Sequence, residues 1–268
     1  MRCGIGSYTY GWAIAEQQLD AAALIDLAAR HGLPVVQLAD NLPASTFAPD
    51  TLAQLHARAI RAQVQLELGA RGSDPAHVQA MLRLAAQVRS PILRLVIDTR
   101  DDHPDAAEIA RRLRAVTPLG QSLGVTIAIE NHDRINARSL AAILDPLWPA
   151  VGCCFDTANS AGLIESARAG WAALSPFIVN VHLKDIATRR LPHLQGFIIE
   201  GTRLGEGLVD LEWIRAAVAQ LPRDVSVILE QWVPPEDDMA STIDKESRWA
   251  GHGIALLKHW QDTISNRR

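Results

Sequence analysis

Residues 177–185 read FIVNVHLKD, an apolar and β-branched run that contains a histidine and then stops on a lysine and an aspartate. Ile178 and Val181 are typical of a strand that is buried on both faces, and such strands belong to parallel sheets covered by helices. His182 and Lys184 then stand near the carboxyl end of this strand. In a barrel of parallel strands that end faces the active site.

Runs of the same kind recur along the chain, separated by segments with helical periodicity. The predicted strands are 2–10, 34–40, 63–70, 91–99, 125–132, 151–159, 177–185 and 224–232. The predicted helices are 19–31, 50–62, 75–88, 104–119, 138–148, 160–173, 210–220 and 244–264, several of which have Asp or Ser in the N-cap position. Eight strands that alternate with helices predict an α/β fold closed into a (β/α)8 TIM barrel rather than an open doubly wound sheet.

The length and the composition along the chain predict one domain, 1–268. A chain of 268 residues is short for two full α/β domains, and no composition shift marks an internal linker. The one long interruption is 186–209, IATRRLPHLQGFIIEGTRLGEGLV. As the loop after the seventh strand, it is expected on the catalytic face, where it could form part of a lid.

The composition restricts the classes of partner and of compartment. A net charge of −4 provides no bulk basic field for nucleic acid or for anionic membranes. The three cysteines, Cys3, Cys153 and Cys154, lack the spacing of a disulfide framework or of a metal knuckle. Cys153 and Cys154 are expected to be small buried residues of their strand. The sequence shows no secretion signal and no apolar run of membrane-spanning length. We therefore expect a cytoplasmic protein that binds neither nucleic acid nor membranes.

Polar residues interrupt the last four predicted strands near their carboxyl ends. They are Glu130 in AIENHD, Asp156 in FDTAN, His182 in VHLKD and Glu230 in ILEQW. Any one of them is more typical of a solvated strand end or of a hydrogen-bonded core position. Three carboxylates and an imidazole on four successive strands converge at one side of the barrel mouth, where the carboxylates stay ionised only with a cation among them. The sequence therefore predicts one divalent metal ion.

The ligand types alone do not identify that metal. Three oxygen ligands and one nitrogen ligand suit Mn²⁺ or Mg²⁺ best, and they also allow Co²⁺ or Zn²⁺.

The chain resembles the sugar isomerase/epimerase superfamily of xylose-isomerase-like TIM barrels, which also contains type IV endonucleases acting at abasic sites. The resemblance runs the length of the chain and is most specific in ENH at 130–132, DTAN at 156–159, VHLKD at 181–185, GEGLVD at 205–210 and LEQW at 229–232. It implies that Glu130, Asp156, His182 and Glu230 are metal ligands. It also implies that Glu130 and Glu230 double as an acid/base pair.

The function that this resemblance implies is a metal-dependent sugar isomerase or epimerase. Its substrate would be a small ketose or a related polyhydroxy ketone. A metal that holds the ketone oxygen and the neighbouring hydroxyl lowers the pKa of the C–H between them and stabilises an enediolate. Glu130 and Glu230 on opposite faces of that planar intermediate could remove a proton on one side and return it on the other. A small carbohydrate is therefore the expected partner.

One position departs from the pattern of the ketose 3-epimerases in that superfamily. A histidine commonly stands three residues after the strand-six aspartate, whereas this chain has Asn159. Asparagine can donate a hydrogen bond to an enediolate oxygen but cannot carry a proton. The arginine that those enzymes use could be matched by Arg189, Arg190 or Arg203. Asn159 therefore weakens the case for a ketose 3-epimerase.

Two other functions remain open at this point. A lyase on the same scaffold could remove CO₂ from a 3-oxo sugar acid or water from a keto-inositol, and Asn159 with the arginines of 186–209 favours this reading slightly. The mass of the product distinguishes a lyase from an isomerase. An abasic-site endonuclease is less favoured, because the remaining histidines do not fall at the required strand ends and the net charge is acidic.

Three further residues are candidates for substrate binding. Lys184 could neutralise a substrate carboxylate, a phosphate or an enediolate, or could form a structural ion pair with Asp185 or Glu206. His132 could bind a substrate hydroxyl or, as we prefer, orient Glu130. Tyr8 could wall a sugar pocket, with core packing as its alternative.

Two structural expectations complete the sequence-based description. Glu67 and Arg94, on neighbouring strands, are expected to face inward as a charged pair. An exposed apolar patch on helix 244–264, with Trp249 and Trp260, could serve a homo-oligomer.

Overall fold

Eight parallel strands close into a barrel in the computed structural model, which describes residues 1–265. The barrel strands are β1 (Arg2–Gly6), β2 (Val35–Leu38), β3 (Gln65–Arg71), β4 (Ile92–Val96), β5 (Thr126–Glu130), β6 (Val151–Asp156), β7 (Ile178–Leu183) and β10 (Ser226–Leu229). Two further strands, β8 (Ile186–Arg190) and β9 (Phe197–Gly201), form a separate sheet. β1 to β7 pair in chain order, and β10 closes the barrel between β7 and β1. The predicted (β/α)8 TIM barrel is confirmed.

The helices surround the barrel and join its strands. They are α1 (Gly11–Ala15), α2 (Ala21–Arg30), α3 (Pro49–Arg61), α4 (Pro75–Gln87), α5 (Ala106–Leu123), α6 (Ala137–Leu144), α7 (Ala167–Leu174), α8 (Leu211–Ala219) and α9 (Met239–Ser265). Side chains in the N-cap position accept backbone N–H bonds at Asp20, Asp74, Asp105, Asn136, Ser166 and Asp210. Among the helices of residues 1–265, none combines the length and apolar character needed to cross a membrane.

Several element boundaries differ from the sequence-based prediction, and two of the differences fall at the catalytic face. β1 ends at Gly6 because residues Ser7–Tyr10 form a 3₁₀ turn, in which Thr9 Oγ1 accepts a bond from the Gly6 N–H. The helix predicted from residue 160 begins only at Ala167, after a second 3₁₀ turn at Asn159–Leu163. Short polar turns at strand ends satisfy backbone groups that a longer strand or helix would otherwise pair.

The segment 186–209 contains a hairpin that the sequence analysis did not predict. β8 and β9 pair antiparallel, with Ile186 opposite Gly201. Asp185 fixes the base of this hairpin, because its carboxylate accepts backbone N–H bonds of 2.9 to 3.0 Å from Ile186, Gly205, Gly207 and Val209. One carboxylate thus joins the end of β7 to the chain on both sides of the hairpin.

Among residues 1–265, the buried apolar residues form two clusters. The large apolar core contains residues such as Leu66, Phe155 and Val181 together with residues of the surrounding helices. Cys153 belongs to this core, whereas Cys154 lies in a separate small cluster with Ile92 and Ala128. Both cysteines are buried, as expected.

The sequence-based prediction of an exposed apolar patch on the last helix is wrong for one residue, Trp260. Trp260 is only 1% exposed and lies in the apolar core. α9 packs against β1 and β10, so this tryptophan stabilises the barrel. Trp249 is partly exposed, with the Lys245 ammonium 5.2 Å from its ring centre.

Candidate active site and metal centre

The structure brings the four predicted metal ligands together at the carboxyl ends of the last strands. Glu130 ends β5, Asp156 ends β6, His182 lies in β7 and Glu230 follows β10 directly. His182 Nδ1 lies 3.2 Å from Glu130 Oε2, 3.3 Å from Glu230 Oε2 and 3.8 Å from Asp156 Oδ2. All four residues are buried.

The unsatisfied atoms of this cluster fit a divalent cation. Within residues 1–265, His182 Nδ1, Asp156 Oδ2 and both carboxylate oxygens of Glu230 are buried without a hydrogen-bond partner. Ligand atoms of Asp156, His182 and Glu230 lie within 4.8 Å of one another. Lone pairs that converge in a buried space leave a large desolvation cost unless a cation lies among them. The donor set therefore fits a metal ion, and it does not decide which one.

Electrostatics in the cluster favour ionised carboxylates and a positive partner. Burial alone would raise the pKa of Glu230, but His182 and Lys184 outweigh it and bring that pKa to about 2. Burial would lower the pKa of His182, yet Cys154, Glu230 and Glu130 raise it well above its ordinary value. Both pKa shifts arise because the buried carboxylates create a negative potential that favours positive charge in the cluster.

Lys184 supplies part of that positive charge. Its Nζ lies 2.7 Å from Asp156 Oδ2 and 2.9 Å from Glu230 Oε2, which is ion-pair distance, although neither contact has hydrogen-bond geometry. The same ammonium lies 5.1 Å from the centre of the Trp232 ring. Lys184 therefore pairs with two predicted metal ligands, in place of the Asp185 or Glu206 partners considered from the sequence.

The two glutamates of the cluster have different environments. Glu130 Oε2 accepts a bond from Arg94 Nε, and Glu130 Oε1 accepts one of 2.7 Å from Asn159 Nδ2. Burial would raise the pKa of Glu130, but Arg94 and His182 lower it well below the usual range. Glu230 has neither of these donors. Glu130 is thus fixed on both oxygens by hydrogen bonds, whereas Glu230 contacts the Lys184 ammonium through Oε2 alone.

Sequence reasoning missed a second charged group, next to the cluster. Arg94 also donates to Asp40 Oδ1 at 2.7 Å, and Asp40 Oδ2 accepts from Arg71 Nε at 2.8 Å and from the Tyr8 hydroxyl at 3.2 Å. Burial and Asp40 raise the pKa of Tyr8 to about 12. Asp40 closes the second predicted strand, so its signal in the sequence was the same strand-end position that identified the ligands.

The expected pair between Glu67 and Arg94 is wrong. Arg94 faces Glu130 and Asp40, whereas Glu67 Oε2 accepts a bond of 3.2 Å from Gln37 Nε2. In the register of β3 and β4, Arg94 lies opposite Gly69, which is two residues farther along β3 than Glu67.

Three other predicted site residues lie farther from the buried ligands. Arg203 is partly exposed and pairs with Glu206. Arg189 of the hairpin pairs with Glu200 at 2.9 Å. His132 Nδ1 lies 2.8 Å from Asp133 Oδ2, the carboxylate of the next residue. The structure therefore does not bring these side chains into the ligand cluster.

A cleft of about 630 Å³ lies beside the cluster, on the β1 and β10 side of the barrel mouth. Its walls are mostly apolar and include Tyr8, Trp12, Ile199, Gln231, Trp232 and Val233. The four ligand residues do not line it. Gln231 and Trp232, which follow Glu230 directly, connect the two.

The hairpin forms one wall of this cleft. A Cβ atom at Gly201 would lie 1.7 Å from the backbone oxygen of Trp232, so β9 can pack against this loop only with glycine at that position. The hairpin therefore packs directly against the loop that follows Glu230.

Known proteins similar to this chain are enzymes that act on carbohydrates or related compounds. The 3-oxo-isoapionate decarboxylase of Pectobacterium atrosepticum is 27% identical over 271 residues, which cover 100% of this chain and 98% of that protein. The D-psicose 3-epimerase of Clostridium cellulolyticum, solved with D-tagatose, has a TM-score of 0.70 at 16% identity, over 98% of each chain.

A third similar structure contains a divalent metal. This xylose isomerase-like TIM barrel protein from Mycobacterium smegmatis, in complex with magnesium, has a TM-score of 0.65 at 12% identity, over 91% of each chain. At such low identity the two structural likenesses establish the fold alone. The sequence model of the xylose isomerase-like TIM barrel family matches residues 25–259. The chain therefore belongs to the xylose isomerase-like TIM barrel family.

Proposed function

We propose that this protein is a divalent-metal-dependent lyase that removes CO₂ from a 3-oxo sugar acid through an enediolate. The observation that carries the proposal is the difference between the two glutamates. Glu130 accepts hydrogen bonds on both oxygens, from Arg94 and Asn159, whereas Glu230 accepts none from residues 1–265 and only pairs with the Lys184 ammonium through Oε2. The 27% identity to a decarboxylase of a 3-oxo sugar acid supports the same reading.

The number of proton carriers distinguishes the two reactions of this scaffold. Epimerisation through a planar enediolate needs one group to remove a proton and a second group, on the other face, to return one. Decarboxylation needs a single proton, delivered to carbon after CO₂ has left. Both glutamates are anions at rest. Glu230, which lacks the Arg94 and Asn159 hydrogen bonds of Glu130, would take that proton from solvent and pass it to the carbon. Asn159, which has no proton to transfer, stabilises the Glu130 anion.

The bond changes of the proposed reaction balance without an added reactant. The C–C bond between the carboxylate and the carbon beside the ketone breaks, and its electron pair passes into the enediolate while CO₂ leaves. The enediolate then takes one proton at carbon. A divalent ion held by Glu130, Asp156, His182 and Glu230 would supply Lewis-acid stabilisation of the developing oxyanion. The substrate carries one negative charge before and after CO₂ loss, so Lys184 can neutralise it at both stages.

The charges around the cluster also suit a substrate with one negative charge. The group of carboxylates is Glu130, Asp156, Glu230 and Asp40, and the cations beside them are Lys184, Arg94 and Arg71. A divalent metal ion would leave this set with one excess positive charge. Buried charge is costly unless it is compensated, and an anionic substrate would compensate it.

Lys184 and Tyr8 are the substrate-binding residues that we assign with the clearest support. Lys184 lies at the cluster, and Tyr8 joins the Asp40 group to the wall of the cleft. Asn159 acts on Glu130 in this proposal. Substrate contacts by His132 and Arg203 remain predictions from the sequence.

A ketose epimerase is the second candidate function. It is favoured by the placement of Glu130 and Glu230, whose Oε2 atoms lie 3.2 and 3.3 Å from the same His182 nitrogen. Two-sided proton transfer requires two carboxylates that can reach opposite faces of a substrate bound beside this nitrogen.

The deciding experiment is turnover of Mn²⁺-supplied protein in D₂O with 3-oxo-isoapionate and, separately, with a panel of ketoses. We expect CO₂ release from the 3-oxo acid and a product with one carbon-bound deuterium. The Glu230→Gln variant should lose about 10²- to 10⁴-fold in rate, whereas Glu212→Gln, at an exposed ion pair with Arg215 on α8, should keep the wild-type rate. A product from a ketose that keeps all its carbon atoms and gains one carbon-bound deuterium would establish the epimerase instead. If neither substrate class reacts, both functions are wrong.

A further inference from the structure

We propose that Gln37 and Asn180 form a hydrogen-bond relay that fixes the tautomer of His182 and so turns the Nδ1 lone pair toward the carboxylate cluster. Both are positioning residues, buried inside the barrel below the four ligands. The proposal rests on the metal site of the proposed function, and it adds the reason why His182 is a ligand rather than a hydrogen-bond donor.

The relay starts from a group whose role cannot change, the backbone carbonyl of Ser226. A carbonyl oxygen only accepts hydrogen bonds. Asn180 Nδ2 lies 3.3 Å from this oxygen and 2.8 Å from Ser226 Oγ, so the NH₂ side of the amide faces Ser226. Asn180 Oδ1 must then point the other way, toward Gln37.

The orientation of Gln37 follows from that of Asn180. Gln37 Nε2 lies 3.2 Å from Asn180 Oδ1 and 3.2 Å from Glu67 Oε2, which use its two N–H donors. The oxygen of the Gln37 amide is consequently the atom that faces His182. Gln37 Oε1 lies 2.7 Å from His182 Nε2.

The orientation of Gln37 decides which nitrogen of His182 carries the proton. An amide oxygen can only accept, so His182 Nε2 must donate and therefore bears the hydrogen. In the neutral ring Nδ1 is then bare, and it lies 3.2 Å from Glu130 Oε2 and 3.3 Å from Glu230 Oε2. A flipped Gln37 would present N–H to Nε2 and move the ring proton to Nδ1, which would then donate to the carboxylates and bind no metal.

Strand geometry holds the relay in place. Asn180 and His182 lie two residues apart in β7, so both project to the same face, and Asn180 lies opposite Ser226 of β10. Gln37 reaches them from β2 across the barrel interior. All four side chains are at most 1% exposed, so the surrounding protein leaves little room for water to replace a missing partner.

The first test reads the tautomer directly in the wild-type chain. Two-bond ¹H–¹⁵N correlation spectra of protein labelled with ¹⁵N-histidine distinguish protonation at Nε2 from protonation at Nδ1. The chain has nine histidines, and the signals lost in His182→Gln assign the ring. We expect a proton on Nε2 with and without Zn²⁺, and a bare Nδ1 when Zn²⁺ is bound. A ring with its proton on Nδ1 and a bare Nε2 overturns the relay.

The second test measures Mn²⁺ affinity from the electron paramagnetic resonance signal of free Mn²⁺. Gln37→Met, which keeps the volume and removes the acceptor, should weaken binding about 10- to 100-fold. Gln121→Met, the same substitution at an exposed position of α5, is the matched control and should bind Mn²⁺ within about twofold of wild type. Wild-type affinity in folded Gln37→Met contradicts the relay.

Failure of the relay and failure of the proposed function give different results. If the wild-type chain binds no divalent metal, the proposed function fails, while the ring spectrum of the metal-free protein still decides which nitrogen faces Gln37. If Gln37→Met does not fold, the wild-type spectrum alone decides.

Discussion

The Lys184 ammonium lies 2.7 Å from Asp156 Oδ2, and both side chains are buried at the centre of the candidate site. It also lies 2.9 Å from Glu230 Oε2. Asp156 and Glu230 are two of the residues whose ligand atoms cluster around His182. A cation carried by the chain therefore contacts the oxygens that a bound metal would use, and the two positive charges repel each other.

This relationship predicts opposite effects of Lys184→Met on metal binding and on catalysis. Removing one positive charge within a few ångströms of the site should raise Mn²⁺ affinity about tenfold or more, while turnover of a 3-oxo acid should fall because its carboxylate loses a partner. Mn²⁺ titration and CO₂ release measure the two quantities. Lys184→Arg keeps the charge and is the matched control. Weaker Mn²⁺ binding in Lys184→Met would show that Lys184 does not compete with the metal.

Arg94 is predicted to be a major source of stability. It is 2% exposed and pairs with Glu130 and with Asp40 Oδ1, so Arg94→Met leaves both carboxylates without their shared cation. Loss of one partner from a buried ion pair costs about 3–5 kcal/mol of unfolding free energy, which urea denaturation can measure. Arg111→Met, at an exposed pair with Glu108 on α5, should change it by less than about 1 kcal/mol. Equal losses in the two variants would contradict this account.

The sequence was sufficient for the barrel and for the positions of the ligands. Strand and helix patterns alternate eight times, and parallel strands place their carboxyl ends on one side. Glu130, Asp156, His182 and Glu230 therefore had to lie near one another, whatever the details of the loops. The buried cluster at His182 Nδ1 agrees with that expectation.

The partners of the buried charges could not be predicted from sequence spacing. Arg94 was paired with Glu67, but the shift between β3 and β4 places it opposite Gly69. Register depends on how side chains fill the barrel interior, which no single strand records. Arg203 is a second example, because its distance from His182 along the chain gave no sign that a hairpin would leave it beside Glu206.

The ion pairs of Asp40 with Arg94 and Arg71 predict that the protein loses stability in acid. Burial alone would raise the pKa of Asp40, but Arg94 and Arg71 outweigh it, so that pKa lies below its usual value. A carboxyl group whose pKa is lowered by folding stabilises the native state above its unfolded pKa of about 3.9, and this contribution disappears as the pH falls toward the folded pKa. Unfolding free energy measured from pH 6 to 2.5 should therefore fall less steeply in Asp40→Asn. Parallel curves for the two proteins would mean that Asp40 titrates alike in the folded and unfolded chain.

The burial of Glu246 predicts the opposite dependence of the unfolding free energy on pH. Burial raises its pKa, although its carboxylate accepts backbone N–H bonds of 2.8 and 3.0 Å from Trp12 and Ala13. A carboxyl group whose pKa is raised by folding contributes most at low pH, and stability declines as the pH rises through the folded value. Glu246→Gln keeps an acceptor for one of these bonds. Its unfolding free energy should be flatter than that of wild type between about pH 4 and 6, and an unchanged slope would contradict the assignment.

Gly207 is predicted to control the order of the hairpin without contributing any side chain to the site. A Cβ atom at this position would lie 2.2 Å from Asp185 Oδ1 and 2.3 Å from the Ile186 backbone oxygen, so Gly207→Ala must displace the carboxylate that holds the hairpin base. Hydrogen exchange at β8 and β9 should then accelerate, because both strands pair only with each other. Gly251→Ala, on an open side of α9, has no atom within 4 Å of the added Cβ and should leave this exchange unchanged. If Gly207→Ala exchanges at the wild-type rate, Asp185 is not what orders this wall of the cleft.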